Sequence, residues 1–217
     1  MARKALLVLL VLQLLQFISS TNLIAGADLQ RDFQTLAQSY AVAVRNGIIR
    51  FDFDYFTVND LSGSSDTIPG VIWLQGELFR LEAAGNLFLQ DNHAFYQIYR
   101  TERQLLIDQL PTTDDGLQPV RLLSRLEEHF QPIAFTQLPA GDRSFQLMPL
   151  QSDWLLEAWL QADGTQILAL ELQDINGTRT VIHLTAEQQV VDTADTLFQL
   201  PGWTGTFDIF DLRGADR

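Results

Sequence analysis

The chain has 217 residues, with 27 acidic against 14 basic ones, a formal charge of −13 and no cysteine. That balance speaks against a nucleic-acid binder and against adsorption to anionic membrane surfaces. The absence of cysteine excludes disulfides, a thiolate nucleophile, thiolate metal ligands and the lipid-modified N-terminal cysteine of a bacterial lipoprotein.

The first predicted segment is a secretory signal over residues 1–27. Arg3 and Lys4 precede an apolar run from Ala5 to Ile18, and Ala25, Gly26 and Ala27 form a small-residue cleavage site. A spanning helix needs about 20 apolar residues, and this shorter run contains Gln13 and Gln16. Cleavage is expected after Ala27, with a retained anchor as the alternative, and residues 28–217 are expected to form a single domain. No later run approaches membrane length, so no stable membrane insertion is expected.

Leu29, Phe33, Leu36 and Tyr40 recur at spacings of four, three and four, the stripe of an amphipathic helix, and Asp28 is placed to cap it. From Ile48 the period changes to two. In "IIRFDFDYFTV" the residues Phe51, Phe53 and Tyr55 share one strand face while Arg50, Asp52 and Asp54 share the other. The stretch "LSGSSDTIP", residues 61–69, reads as a mobile loop. The runs "GVIWLQGELFRLEA", "NLFLQ", "HAFYQIYR" and "RQLLIDQL" are then punctuated by Gly76, Gly85 and Asp91-Asn92, as in a meander of antiparallel strands.

One helical pattern interrupts the strands. In "QPVRLLSRLEEHFQP", Pro119 suits a first helical turn, Leu122, Leu123, Leu126 and Phe130 form a stripe, and Pro132 stops it. Strands resume at "SFQLMP" and run to "TVIHL", with hairpin turns at Asp163-Gly164 and Asn176-Gly177. The fold class is thus α+β: a mostly antiparallel sheet of about ten or eleven strands, long enough to curl, with one helix before it and one inserted.

Chemistry is hard to find in this pattern. His93, His129 and His183 fall on different elements in no paired spacing, so no metal site is expected. Asp52 and Asp54 lie about 7 Å apart on one strand face, a pair that could perform acid and base work but equally reads as a solvated face. There is no GxSxG, no SxxK and no glycine-rich phosphate loop. Neither an enzyme nor a cofactor is expected. Aromatic residues occur on nearly every predicted strand, and a packed core is their default explanation, with a ligand cavity as the alternative.

Several fragments, in order, resemble the LolA/LolB-like superfamily of outer-membrane lipoprotein carriers. The helix "DLQRDFQTLAQSY", the pair "GVIWLQGELFRLE", the hairpin "LFLQDNHAFYQIYRTERQLLID" and the strand "ADGTQILALELQD" are similar to successive pieces of that family. The ending "DTLFQLPGWTGTFDIFDLR" places Phe198, Pro201, Gly202, Asp211 and Arg213 where the family's terminal motif would put them. The likeness runs over most of residues 28–213.

The resemblance implies an open half-barrel whose concave apolar face, covered by helices, holds lipoprotein acyl chains. It implies a periplasmic location, acylated lipoproteins as cargo, an inner-membrane ABC-type release complex as donor and a possible outer-membrane acceptor. Phe79 matches the family's cavity aromatic and Trp73 the aromatic of the preceding strand. The helix from Pro119 to Phe130 takes the place of a cavity cover, with Leu122, Leu123 and Leu126 toward the lipid. With strand alternation, the lining would also include Phe51, Phe53, Tyr55, Leu81, Phe88, Tyr96 and Phe145. Gln75-Gly76 stands where well-known members carry an Arg-Pro whose Arg holds the cover shut, and Arg80 is not taken as its substitute. The rival readings are a carrier of free lipid or glycolipid, a protein-binding sensor domain, and a hydrolase using Asp52 and Asp54.

Overall fold

The computed structural model describes residues 26–59, 67–110, 125–138, 141–150, 155–164, 166–190 and 196–214. Residues 1–25 of the expected signal, most of "LSGSSDTIP" and the segment holding Pro119, Leu122 and Leu123 lie outside these residues.

Helix α1 spans Gly26–Asn46. Strands β1 (Ile48–Asn59), β2 (Thr67–Gln75), β3 (Leu78–Ala83), β4 (Asn86–Gln90), β5 (Phe95–Tyr99) and β6 (Gln104–Asp108) follow. A one-turn helix, α2 (Leu126–His129), leads into β7 (Phe130–Gln137), β8 (Arg143–Pro149), β9 (Leu155–Asp163), β10 (Gln166–Asp174) and β11 (Thr178–Val190). A 3-10 turn at Gly202–Thr206 precedes β12 (Asp208–Asp211). Among the described residues no helix is long and apolar enough to cross a membrane.

Among the described residues twelve strands form one open sheet in the order β12-β6-β5-β4-β3-β2-β1-β11-β10-β9-β8-β7. Every pairing is antiparallel except that of β12 with β6. The parallel β12 raises the strand number above the ten or eleven expected, because a four-residue edge strand of mixed polarity carries almost no periodic signal.

The sheet is curved, and α1 shows by how much. In sheet order β7 is five strands from β1, about 24 Å in a flat sheet, whereas a helix with side chains is about 10 Å across. Yet α1 touches β7 as well as β1 and β2. Its own stripe makes this possible: Phe33, Leu36, Tyr40 and Val44 are all buried against Phe51, Leu74, Phe145 and Leu160. Polar ties hold the helix in place. Arg143 of β8 pairs with Asp32 at 3.4 Å, and the Gly76 N–H in the β2–β3 turn donates to Val44 O in the last helical turn. Gly76 has φ of +57°, the left-handed region a tight turn requires and glycine tolerates.

A second apolar layer lies behind the sheet. Leu87, Leu89, Ile98 and Leu105 point away from α1 and are completely buried. The C-terminal segment covers them, Phe198 packing with Ile48 and Leu89, and Leu200 and Phe207 with the Leu87, Ile98 and Leu105 group.

Three local expectations are corrected. Asp28 lies within the first turn of α1 instead of capping it, where its charge still suits the helix N-terminus. Thr67, Ile68 and Pro69 belong to β2, not to a loop. Phe130 opens β7 instead of ending a helix, and Pro132 sits inside that strand. Because β7 is an edge strand with a bulge between Pro132 and Ala134, the missing N–H of proline costs little there.

Candidate functional site

Strand pairing sets out the concave face in cross-strand rows. Glu187, Phe51, Ile72, Leu81 and Phe88 make one row, and Leu184, Phe53, Gly70, Ala83 and Asn86 the next. Ile182, Tyr55 and Ile68 make a third. Tyr40 of α1 stacks on Phe51 at 6.0 Å between ring centroids, and the Tyr40 hydroxyl donates to Glu187 Oε2 at 2.5 Å. The helix therefore caps the near end of the first row.

Beyond that cap lies a half-enclosed cavity of about 350 Å³, within the range of small-ligand pockets. It is lined by Phe53, Tyr55, Ile68, Ile72, Leu81, Ala83, Ala84, Asn86, Phe88, Ile182 and Leu184. Only Asn86 and the Tyr55 hydroxyl bring polar side-chain atoms, and the hydroxyl accepts a hydrogen bond from Thr57 Oγ1 at 3.2 Å. Such a lining offers dispersion and hydrophobic contact without directional demands, which suits an aliphatic chain.

Four of the residues singled out from the sequence, Phe53, Tyr55, Leu81 and Phe88, line this cavity. Phe51, Phe79, Leu126 and Phe145 face the same side but are buried in the packed core with α1, Phe79 against Phe95 at 5.9 Å. Trp73 and Tyr96 project from the opposite face and pack with Leu89 and Phe198. There Trp73 lies between the guanidinium groups of Arg50 and Arg80, each 5.9 Å from a ring centroid of the indole. The Tyr96 hydroxyl donates to Asp91 Oδ2 at 3.1 Å; its burial, with the nearby carboxylate, pushes its pKa up. Arg80 donates to Glu82 and to Leu197 O, so it ties down the C-terminal segment and plays no part in the cavity.

Ile68, Ile72, Ala83, Ala84, Asn86, Ile182 and Leu184 were not anticipated. Their signal was available only through register: all but Ala84, which lies in the β3–β4 turn, stand opposite or beside Phe53, Tyr55, Leu81 or Phe88 in the sheet.

The remaining chemical candidates do not converge on the cavity. Asp52 and Asp54 point to the convex side, Asp52 paired with Arg50 at 2.6 Å. His183 packs on Phe56, and among the described residues no cluster of metal-ligating side chains occurs. Of the terminal motif, Arg213 forms a two-point pair with Asp211 at 2.9 and 2.6 Å, and this guanidinium holds the Asp211 carboxyl down to about 2.

No protein-family model matches the sequence, and no curated protein matches it. Solved structures do. An uncharacterised conserved protein from Thermus thermophilus superposes with a TM-score of 0.55 at 12% identity, over 82% of this chain and 98% of the other. That likeness is one of fold. A protein domain from Vibrio parahaemolyticus described as outer membrane lipoprotein-sorting gives a TM-score of 0.42 at 12% identity, over 76% and 95% of the two chains. A LolA superfamily protein from Nitrosomonas europaea gives 0.44 at 8%, over 77% and 97%. The curved open sheet expected from the sequence resemblance is present.

Proposed function

We propose that this protein is a non-enzymatic carrier whose concave pocket shelters an acyl chain of a lipoprotein while it crosses the periplasm. The observation that carries this reading is the half-enclosed cavity of about 350 Å³ on the concave face, lined almost wholly by apolar side chains. Each methylene removed from water contributes roughly 0.8 kcal/mol, so an acylated protein crosses an aqueous gap only with its chains covered. Delivery also requires release, and a lining almost without hydrogen-bonding groups holds a chain without locking it. The formal charge of −13 disfavours adsorption to the anionic membrane surfaces at either end of the journey.

On this reading residues 1–27 direct export, an inner-membrane ABC-type complex loads the pocket, and an outer-membrane acceptor empties it. The test is photo-crosslinking from position 81 or 88 in the periplasm, with mass-spectrometric identification of the captured molecule. Capture of acylated proteins supports the carrier of lipoproteins, and capture of free lipid or glycolipid transfers the role to that cargo. A protein that captures neither, and from which no lipid can be extracted, is not a carrier.

A further inference from the structure

The two edges of the sheet are built differently. Strand β7 is blunted by Pro132 and by the bulge between Pro132 and Ala134, two devices that keep an edge from pairing with another chain. Strand β12, at the other edge, has neither. It is bonded only to β6, and its four residues are all exposed. Ile209 is 55% exposed and Phe210 47%, with Leu212 and Trp203 close by at 38% and 44%. Two carboxylates flank the Ile-Phe pair, and one of them, Asp211, is neutralised by Arg213.

The strand is firmly placed. The Asp208 N–H donates to Arg103 O and the Leu212 N–H to Ile107 O, at 2.9 and 2.8 Å. In this parallel pairing Asp208, Phe210 and Leu212 turn their backbone groups toward β6. The N–H and C=O of Ile209 and Asp211 therefore point outward, and among the described residues no strand takes them up.

We propose that this edge pairs with the same edge of a second copy, antiparallel and centred on Phe210. Opposite residues in an antiparallel pair either both bond or both do not, so the twofold axis must pass through a residue. An axis at Asp211 sets two carboxylates face to face. An axis at Ile209 sets Asp211 against Phe207, whose N–H is already given to Thr204 O. An axis at Phe210 pairs each Ile209 with the other copy's Asp211, which uses every outward group in four hydrogen bonds. It also brings the two Phe210 rings together where side chains stand closest and sets Asp208 against Leu212, so no carboxylate meets another. Head-to-tail growth through β7 is opposed by Pro132 and the bulge, and the association closes at two. This proposal is independent of the carrier reading.

Four backbone bonds and two rings make a small interface, of the weak and reversible class. Sedimentation velocity of the purified protein from about 1 μM to about 1 mM should show monomer giving way to dimer. Ile209→Pro removes only an outward N–H, which an edge strand tolerates, and should abolish the dimer with an unchanged circular dichroism spectrum; Phe210→Lys should do the same. The chain has no cysteine, so single cysteines report the register. Under mild oxidant Phe210→Cys should form a disulfide-linked dimer. Ile209→Cys, facing Asp211, and Met148→Cys, 43% exposed near the opposite edge, should not. A protein that stays monomeric at the highest concentration, or Met148→Cys or Ile209→Cys linking as readily as Phe210→Cys, overturns the proposal. Linkage of Phe210→Cys in cells to a different protein alone gives the edge to that partner and overturns the dimer as well.

Discussion

Gly70 and Phe53, paired across β2 and β1, share the space of one side chain: a Cβ at Gly70 would stand 2.3 Å from Phe53 Cζ and 2.9 Å from the carbonyl oxygen of Glu82. The ring of Phe53 lies over the bare backbone of Gly70 and so forms the floor of the pocket without filling it. Gly70→Ala should destabilise the fold by about 1–3 kcal/mol through overpacking, read as a lower urea midpoint. Adding Phe53→Leu should restore part of the loss but not all, because the Glu82 carbonyl is backbone and cannot swing away. An unchanged midpoint for Gly70→Ala would contradict this packing.

Tyr40 joins α1 to two strands, donating to Glu187 and accepting the Ile167 N–H at 2.8 Å. Tyr40→Phe should cost about 1–3 kcal/mol, since it leaves the Ile167 N–H without an acceptor.

The same hydroxyl predicts a pH dependence. Burial, then the hydrogen bond to Glu187, push the Tyr40 pKa far above its ordinary value of about 10, against the opposing pull of the Ile167 N–H. The folded state holds this proton more tightly than the unfolded one. The contribution is thus complete below pH 10 and is lost as pH rises above it, with a slope approaching about 1.4 kcal/mol per pH unit. Urea titrations between about pH 8 and 11 should show a shallower alkaline decline for Tyr40→Phe than for the natural protein. Parallel declines would assign the alkaline loss to other groups.

Phe79→Glu and Leu81→Glu are two residues apart on one strand face and should behave differently. Phe79 is 3% exposed in the packed core, so a carboxylate there costs several kcal/mol and should abolish cooperative folding. Leu81 borders the cavity, where a charge can reach solvent, so its variant should fold and lose lipid. Circular dichroism and lipid extraction separate the outcomes, and a well-folded Phe79→Glu protein would mean that the hollow extends beneath α1.

Phe198 anchors the C-terminal segment over Ile48 and Leu89. Phe198→Ala should cost about 3–5 kcal/mol and leave the tail pocket, which lies on the other face, able to bind a dodecyl chain. Selective loss of binding at unchanged stability would instead couple the two faces.

By itself the sequence determined the periodic parts. The stripe Phe33, Leu36, Tyr40 became the buried face of α1, "RFDFDYF" became a strand with its aromatic side inward, and the turns at Gly76, Gly85, Asp163-Gly164 and Asn176-Gly177 separate strands as read. These features depend on neighbours a few residues away, which is the range that side-chain period and turn chemistry report. Tertiary structure decided the rest. Alternation cannot say which face of a doubly apolar strand is concave, so Trp73 and Tyr96 exchanged sides once the C-terminal segment covered the back of β3–β6. Nor can it say where filled core gives way to hollow pocket. That boundary runs between Phe51, stacked with Tyr40, and Phe53, which lines the cavity, because it depends on how a curved sheet closes around one helix.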